Sequence, residues 1–410
     1  MKKNDLALIC ILFLLAFALR FYDLSYPDFR WADENAHVPA ATNYWSNGQS
    51  EPDNWEHPPL RHMLEYLFLQ LFGDNPYGWR MRNVLFGSLA AVLTYLFTRH
   101  ISGDQRAALM AGLLLATDPL HITLSRYTYD EVYGSAFFLG AVVLFMKNNG
   151  RSSRIMLSAL FAGVAIATKW YFLPGWLLLW FLALCEGRGI RDLGQSSFVS
   201  SVYLFIPLSV YLLSYYPWFG RGYGLREFLD YTVNAYYSLQ SYRPQGYSEG
   251  MIFLSHISAG EWFIRPVIVG QGTYIGADQG EFIVYMNNLP IWILTLPSMV
   301  FMAVAAVQRR SVMLALPVLF FFANYLLFIV IRRPVFIYSA APLLPFAFAA
   351  VAYALSRIVS RSGQYGARLF YAALAIMIAW NLYLYPLATA KKVSAESYRY
   401  ILSLGTIKTH

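Results

Sequence analysis

The chain has 410 residues, of which 58% are hydrophobic and only 13% charged, with a formal net charge of +8. Soluble domains run nearer half apolar and a quarter charged, so the composition excludes a soluble enzyme and indicates a polytopic membrane protein. The positive balance does not point to nucleic acid, because no soluble basic domain exists to hold it, and Cys10 and Cys185 both sit in apolar runs rather than in a disulfide framework.

Residues 6–19, LALICILFLLAFAL, follow Lys2 and Lys3 and resemble a signal-peptide core, but many spans follow, so an uncleaved first helix with its N-terminus inside is the reading adopted. Apolar runs long enough to cross a bilayer predict an all-α bundle of about eleven transmembrane helices. They fall near 6–24, 83–99, 107–124, 132–147, 155–172, 174–186, 197–216, 289–307, 312–331, 335–356 and 368–387. Pro174 separates the fifth from the sixth. With Lys2 and Lys3 cytoplasmic, Arg99 and Arg106 fall on the same side, as do Lys147, Arg151 and Arg154. So do Arg188 and Arg191, Arg309 and Arg310, and Arg357, Arg361 and Arg368, as the positive-inside rule requires. The chain then reads as a membrane core over 1–216 with a long external loop at 25–82, and an external lid or acceptor-side segment over 217–288. C-terminal membrane helices over 289–388 and an external tail at 389–410 complete it.

Ionisable groups at membrane depth or on the outer side are costly and therefore informative. The external stretch WADENAH carries Asp33, Glu34 and His37. On a helix, Asp33 and His37 share a face, so they can orient one another or supply two ligands to a divalent metal; acids decorating a first helical turn are the bland alternative. EHPPLRH follows, where His57 precedes two prolines that open a helix. SRYTYDE places Arg126 and Asp130 at i and i+4 beside Glu131, in the manner of a structural ion pair or a second acidic site. Lys169 lies near the outer end of an apolar helix, where snorkelling is the plain explanation. Arg332 and Arg333 sit on the outer face against the charge bias and call for an anion, either a lipid headgroup or the phosphate of a lipid-linked substrate. Carboxylates suit removal of a proton from a hydroxyl nucleophile, and cations suit a phosphate leaving group. Together they describe transfer of a group from a phospholipid carrier to an external acceptor.

In order along the chain, the acidic pair, HPPL, GDNPYGWRMRNVLFG and ATDPLHITLSRYTYDE resemble the dolichyl-phosphate-mannose–protein mannosyltransferases, family 39 of the GT-C glycosyltransferases, and their bacterial relatives. The resemblance covers roughly residues 7–175, and Arg333, Tyr338, Pro342 and Pro345 look like that family's later R…Y…P…P segment. It implies a GT-C-type bundle with interfacial helices in the first long external loop. It implies Asp33 as the general base of an inverting transfer, with Glu34 and Asp130 as further catalytic carboxylates. His37, His57, Arg126, Glu131, Lys169, Arg332, Arg333 and Tyr338 are then the candidates for binding substrate. The donor would be a polyprenyl-phosphate sugar, and the acceptor a glycan, lipid or protein. One departure is local: eukaryotic members usually read HPPLGK, and here Arg61 and His62 follow HPPL.

No obligatory cofactor is expected, because a sugar on a monophosphate carrier needs no metal to neutralise a diphosphate, although Asp33 and His37 could hold a divalent ion. The expected place is the cell's inner membrane, with membrane lipids around the bundle and the site on the periplasmic or extracellular side. Two competing readings are a polymerase or ligase of lipid-linked polysaccharide, using the Tyr-rich 217–288 loop as a glycan groove, and a transporter or flippase. The second should show internal repeats and Gly/Pro-broken helix pairs at the midplane, which the sequence lacks.

Overall fold

The computed structural model describes residues 3–31, 33–45, 57–147, 151–185, 193–241, 259–265, 267–275, 279–330, 335–394, 396–397 and 400. In chain order the helices are α1 (Lys3–Phe21), α2 (Glu34–Trp45), α3 (Leu60–Phe72), α4 (Pro76–Ser102), α5 (Gln105–Thr117), α6 (Pro119–Arg126) and α7 (Asp130–Met146). Next come α8 (Ser152–Thr168), α9 (Leu173–Cys185), α10 (Leu193–Ser214), α11 (Tyr216–Gly220) and α12 (Leu225–Ser241). Two antiparallel strands, β1 (Ile268–Ile275) and β2 (Gln279–Met286), follow, with Ile268 opposite Met286 and Ile275 opposite Gln279. Further helices cover Leu289–Trp292, Thr295–Gln308, Val312–Val330, Leu344–Ser360 and Gly366–Ala388, and β3 (Lys392–Ser394) pairs with β2.

Every one of the eleven expected segments holds helix, yet they do not make eleven clean spans. Among the described residues six helices are long and apolar enough to cross a membrane, or seven if α5 and α6, bent by 53°, count as one. The small sheet departs from an all-helical reading. Its residues include Ile, Val, Thr, Tyr and Phe, a strand composition that the surrounding polarity disguised as loop. The tail expected to be featureless adds its third strand.

Local chemistry explains the helix ends. GDNP is a complete punctuation mark: Gly73 (φ 84°) closes α3 by donating its N–H to Leu69 O at 2.8 Å. The Asn75 side chain then accepts from Tyr77 N at 2.9 Å, and Pro76 takes the first position of α4. The expected helix 155–172 breaks at Lys169, which is extended (φ −153°, ψ 139°), and a 3-10 turn at 170–172 leads into α9. Pro174 is the second residue of α9, where a missing N–H costs nothing, so it does not cause the break.

The chain divides into two compact units that are discontinuous in sequence and cut across the segments read from it. One comprises residues 24–86 and 127–242, the other 1–23, 87–126 and 243–410. In the second unit, the α5–α6 bend follows from Asp118-Pro119. Asp118 caps α6 by accepting from His121 N at 2.9 Å, and the carbonyls freed at Ala116 and Leu115 accept from the buried Arg20 guanidinium at 2.9 and 3.2 Å. In the first unit, α7, α8 and α10 pack through small residues. A Cβ on Gly134 would meet Phe172 at 2.6 Å, and one on Gly163 would meet the Pro207 Cα at 2.7 Å.

Because that second contact is with backbone, Gly163→Leu should part α8 from α10 and destabilise the protein by about 1–3 kcal/mol. Thermal unfolding in detergent should show a lowered Tm, whereas Gly220→Leu, where the added carbon meets nothing within 4 Å, should leave Tm near wild type.

Candidate active site

The polar groups of interest gather in the unit formed by residues 24–86 and 127–242. They come from the starts of α2, α3, α4 and α7 and from the break after α8. Asp33 caps α2: its carbonyl accepts from Ala36 N at 3.1 Å and His37 N at 2.8 Å. Its half-buried side chain feels Lys169, Glu131, Asp130 and Arg61. Burial pushes the Asp33 carboxyl up to about 6; Lys169 opposes this, Glu131 and Asp130 add to it, and Arg61 opposes it again.

Glu34 does something different. One of its oxygens accepts from Trp31 N at 2.9 Å, and the two together receive Arg80 Nε at 2.9 Å and Nη2 at 3.0 Å. Arg80 also donates to the carbonyls of Leu24, Pro27 and Phe29 at 2.9, 2.8 and 3.0 Å. All five N–H groups of the guanidinium are thereby used. Glu34 and Arg80 tie the loop after residue 23 to α4, which gives Glu34, expected as a catalytic carboxylate, a structural pairing.

Asp130 opens α7 and accepts from Arg61 Nη1 at 2.9 Å and from Tyr133 OH at 2.6 Å. The expected i, i+4 partnership with Arg126 does not arise, since α6 ends at Arg126 and a new helix starts at Asp130. Arg126 instead caps the end of α1, donating to the carbonyls of Arg20, Tyr22 and Asp23 at 2.8, 2.6 and 2.9 Å. That is a structural task for a residue expected to bind substrate. Asp130, expected as a catalytic carboxylate, thus holds a guanidinium and a phenol.

Lys169 is buried rather than snorkelling. The break in the helix turns its ammonium inward, to Glu131 Oε1 at 2.6 Å with Asp130 Oδ2 at 3.9 Å. His37 contacts the Thr128 carbonyl through Nδ1 at 3.0 Å and Arg61 through Nε2 at 3.1 Å. Both ring nitrogens are engaged, and among the described residues no three His, Cys, Asp or Glu side chains are grouped to hold a metal ion. His57 lies partly buried in the turn ahead of α3. Tyr338 stacks on Phe336 at 5.2 Å within the other compact unit. Arg332 and Arg333 lie outside the described residues.

Sequence reasoning passed over Arg80 and Arg82, and treated Arg61 only as a departure from the family pattern. Arg82 pairs with Glu65 at 2.5 Å and lies over the Tyr133 ring, 4.4 Å from its centre. The signal was available in WRMRN: two arginines at the head of an apolar helix require acids from elsewhere.

Removing one member of a buried ion pair strands the other, at a cost of about 3–5 kcal/mol. Glu34→Ala should therefore lower Tm steeply and reduce activity only in proportion to the folded fraction, as read by size-exclusion chromatography alongside turnover.

Comparison with known proteins identifies the family and the fold. Residues 10–220 match the family model described as dolichyl-phosphate-mannose-protein mannosyltransferase. The polyprenol-phosphate-mannose–protein mannosyltransferase of Mycolicibacterium smegmatis is 25% identical, covering 97% of this chain and 92% of that protein. An uncharacterized protein of Aquifex aeolicus is 27% identical over 58% of this chain, which spans about half (49%) of it. The fold is that of the Saccharomyces cerevisiae protein O-mannosyltransferase Pmt1-Pmt2 complex, solved bound to its sugar donor (TM-score 0.78, 12% identity, 95% of this chain and 91% of that one). It is also that of ArnT from Cupriavidus metallidurans bound to undecaprenyl phosphate (TM-score 0.59, 16% identity, 94% and 64%). The chain is an integral membrane protein of the GT-C fold and belongs to the dolichyl-phosphate-mannose-protein mannosyltransferase family.

Proposed function

We propose that this chain is an inverting membrane glycosyltransferase that moves a sugar from a polyprenyl-phosphate carrier to a hydroxyl acceptor, with Asp33 as the general base. The observation that carries the reading is the Asp33 carboxylate itself. It is half-buried, raised to about 6, and influenced by two buried cations, Lys169 and Arg61. Such a group is ionised at pH 7 and still basic enough to take a proton from a hydroxyl. As the acceptor oxygen bonds to the anomeric carbon, the bond to the phosphate oxygen breaks, the proton passes to Asp33, and the electron pair leaves with the lipid phosphate. Lys169 and Arg61 supply positive charge for that leaving group without a metal, and Arg332 and Arg333 are further candidates for it. The names of the relatives favour mannose as the sugar and a protein acceptor.

An apolar cleft of about 580 Å³ in the same unit supports a lipid-linked donor. Its walls include Trp170, the neighbour of Lys169, with Trp176, Leu204, Tyr211, Val233 and Tyr236. Charge bias supports the placement: the Arg-bearing loops read as cytoplasmic, so the reaction is assigned to the periplasmic or extracellular face of the cell's inner membrane.

A panel of synthetic polyprenyl-phosphate sugars, mannose first, tests the assignment with purified protein in nanodiscs. Asp33→Asn should cost about 10²–10⁴-fold in turnover, and near-normal turnover in that variant would remove Asp33 as base. EDTA should leave the rate unchanged.

The wild-type rate should climb with pH through about 6 and level off above it, because the ionised form is the base. Stability should run the other way. Between the ordinary aspartate value and about 6 the folded chain keeps a proton that the unfolded chain has released, so stability falls as pH rises through that window. Asp33→Asn should accordingly be at least as stable as wild type at pH 7, measured by thermal unfolding.

A further inference from the structure

His37 is left without a role by the reaction above, yet its contacts are unusually restrictive. The ring is 7% exposed. Its Nδ1 lies 3.0 Å from the Thr128 carbonyl oxygen, which can only accept, so Nδ1 carries a proton. Its Nε2 lies 3.1 Å from Arg61 Nη1, which can only donate, so Nε2 is bare. Two separate contacts demand the same neutral tautomer, and a second proton would point at a guanidinium. The titratable groups around the ring come from every neighbouring element: Arg61 and the neutral His62 on α3, Arg82 on α4, Asp130 on α7 and Lys169 after α8. Burial and the three cations hold the ring down at about 3, and Asp130, 3.9 Å from Nδ1, is the group pulling it up.

We propose that His37 is a neutral positioning residue, whose bare Nε2 seats the Arg61 guanidinium against Asp130. Arg61 Nη1 reaches Asp130 Oδ2 at 2.9 Å and His37 Nε2 at 3.1 Å, so the ring and the carboxylate accept from the same nitrogen. The consequence for rate rests on the transferase reading; the tautomer does not. Loss of Nε2 lets Arg61 drift, Asp33 loses a neighbour that favours its ionised form, and the pH at which the base becomes active moves up.

Two amide variants separate the ring's two contacts. Gln places its oxygen where Nε2 was and keeps Arg61 served; Asn places its nitrogen near Nδ1 and serves Thr128 alone. Rates of sugar transfer across pH in nanodiscs should show His37→Asn losing about tenfold or more in kcat/KM, with its acid limb shifted to higher pH, and His37→Gln within about threefold of wild type. Equal losses in both variants with an unmoved limb would mean a purely structural ring and overturn the proposal. The second measurement is the ¹⁵N spectrum of histidine-labelled wild type between pH 5 and 8, assigned by the signal missing in His37→Gln. A neutral ring protonated on Nδ1 is expected, and a ring protonated on Nε2 or doubly protonated at pH 6 overturns the proposal. Should wild type turn over no donor at all, the transferase reading falls, while the spectrum still decides the state of His37.

Discussion

A guanidinium taken out of water costs several kcal/mol unless its N–H groups are met and its charge is balanced, and Arg80 shows how fully the chain complies. Its five donors end on Glu34 and on three backbone carbonyls between residues 24 and 29. The loop after residue 23 has no regular structure of its own to absorb those carbonyls, so the arginine is what shapes it. Asp33 begins α2 at the end of that loop, one residue before Glu34, and its position follows from the same clamp. The carboxylate read as the base is therefore placed by a neighbour that has no part in the chemistry.

The remaining buried charges are arranged along similar lines but serve a different end. Arg82 is matched to Glu65, and Lys169 to Glu131. Arg61 is shared between Asp130 and His37. The last two pairings keep charges inside a low-dielectric region, where the influence of Lys169, Glu131, Asp130 and Arg61 on Asp33 is stronger than it would be in water. At Asp33 two cations oppose two acids, and burial is the largest effect on its proton affinity. A carboxylate poised between ordinary acidity and neutrality is the result, and it suits a base acting on an alcohol.

Much of this was legible in the sequence, for identifiable reasons. Helix positions follow from apolar runs, and the charge bias of short loops orients them. GDNP reads directly as an end and a start, because glycine, asparagine and proline each have a fixed use there. Lys169 and Glu131 were flagged because ionisable groups are rare in such a chain. What escaped is what sequence spacing cannot carry. Asp33 and Glu34 are adjacent and chemically alike, and only the third dimension pairs Glu34 with a guanidinium and sets Asp33 among Lys169, Glu131, Asp130 and Arg61. Arg126 and Asp130 sit at helical spacing, but Tyr127-Thr128-Tyr129 breaks the helix between them. The β1–β2 hairpin hid in a Gly- and Tyr-rich segment whose strand pattern is weak.

The unit that holds Asp33 is assembled from two stretches separated by forty residues that belong to the other unit, 87–126. A chain made from its N-terminus therefore completes the Glu34–Arg80 clamp from its first stretch alone, 46 positions apart. Arg61 must then wait for Asp130, 69 positions later, and Glu131 must wait a further 38 for Lys169. During synthesis the acids and cations of the site are thus exposed for different lengths of time, with the helix break at Lys169 arriving last. Biogenesis of the site is ordered by the chain itself: scaffold first, charge balance second, and the ammonium that completes it only when the fifth apolar segment has been made.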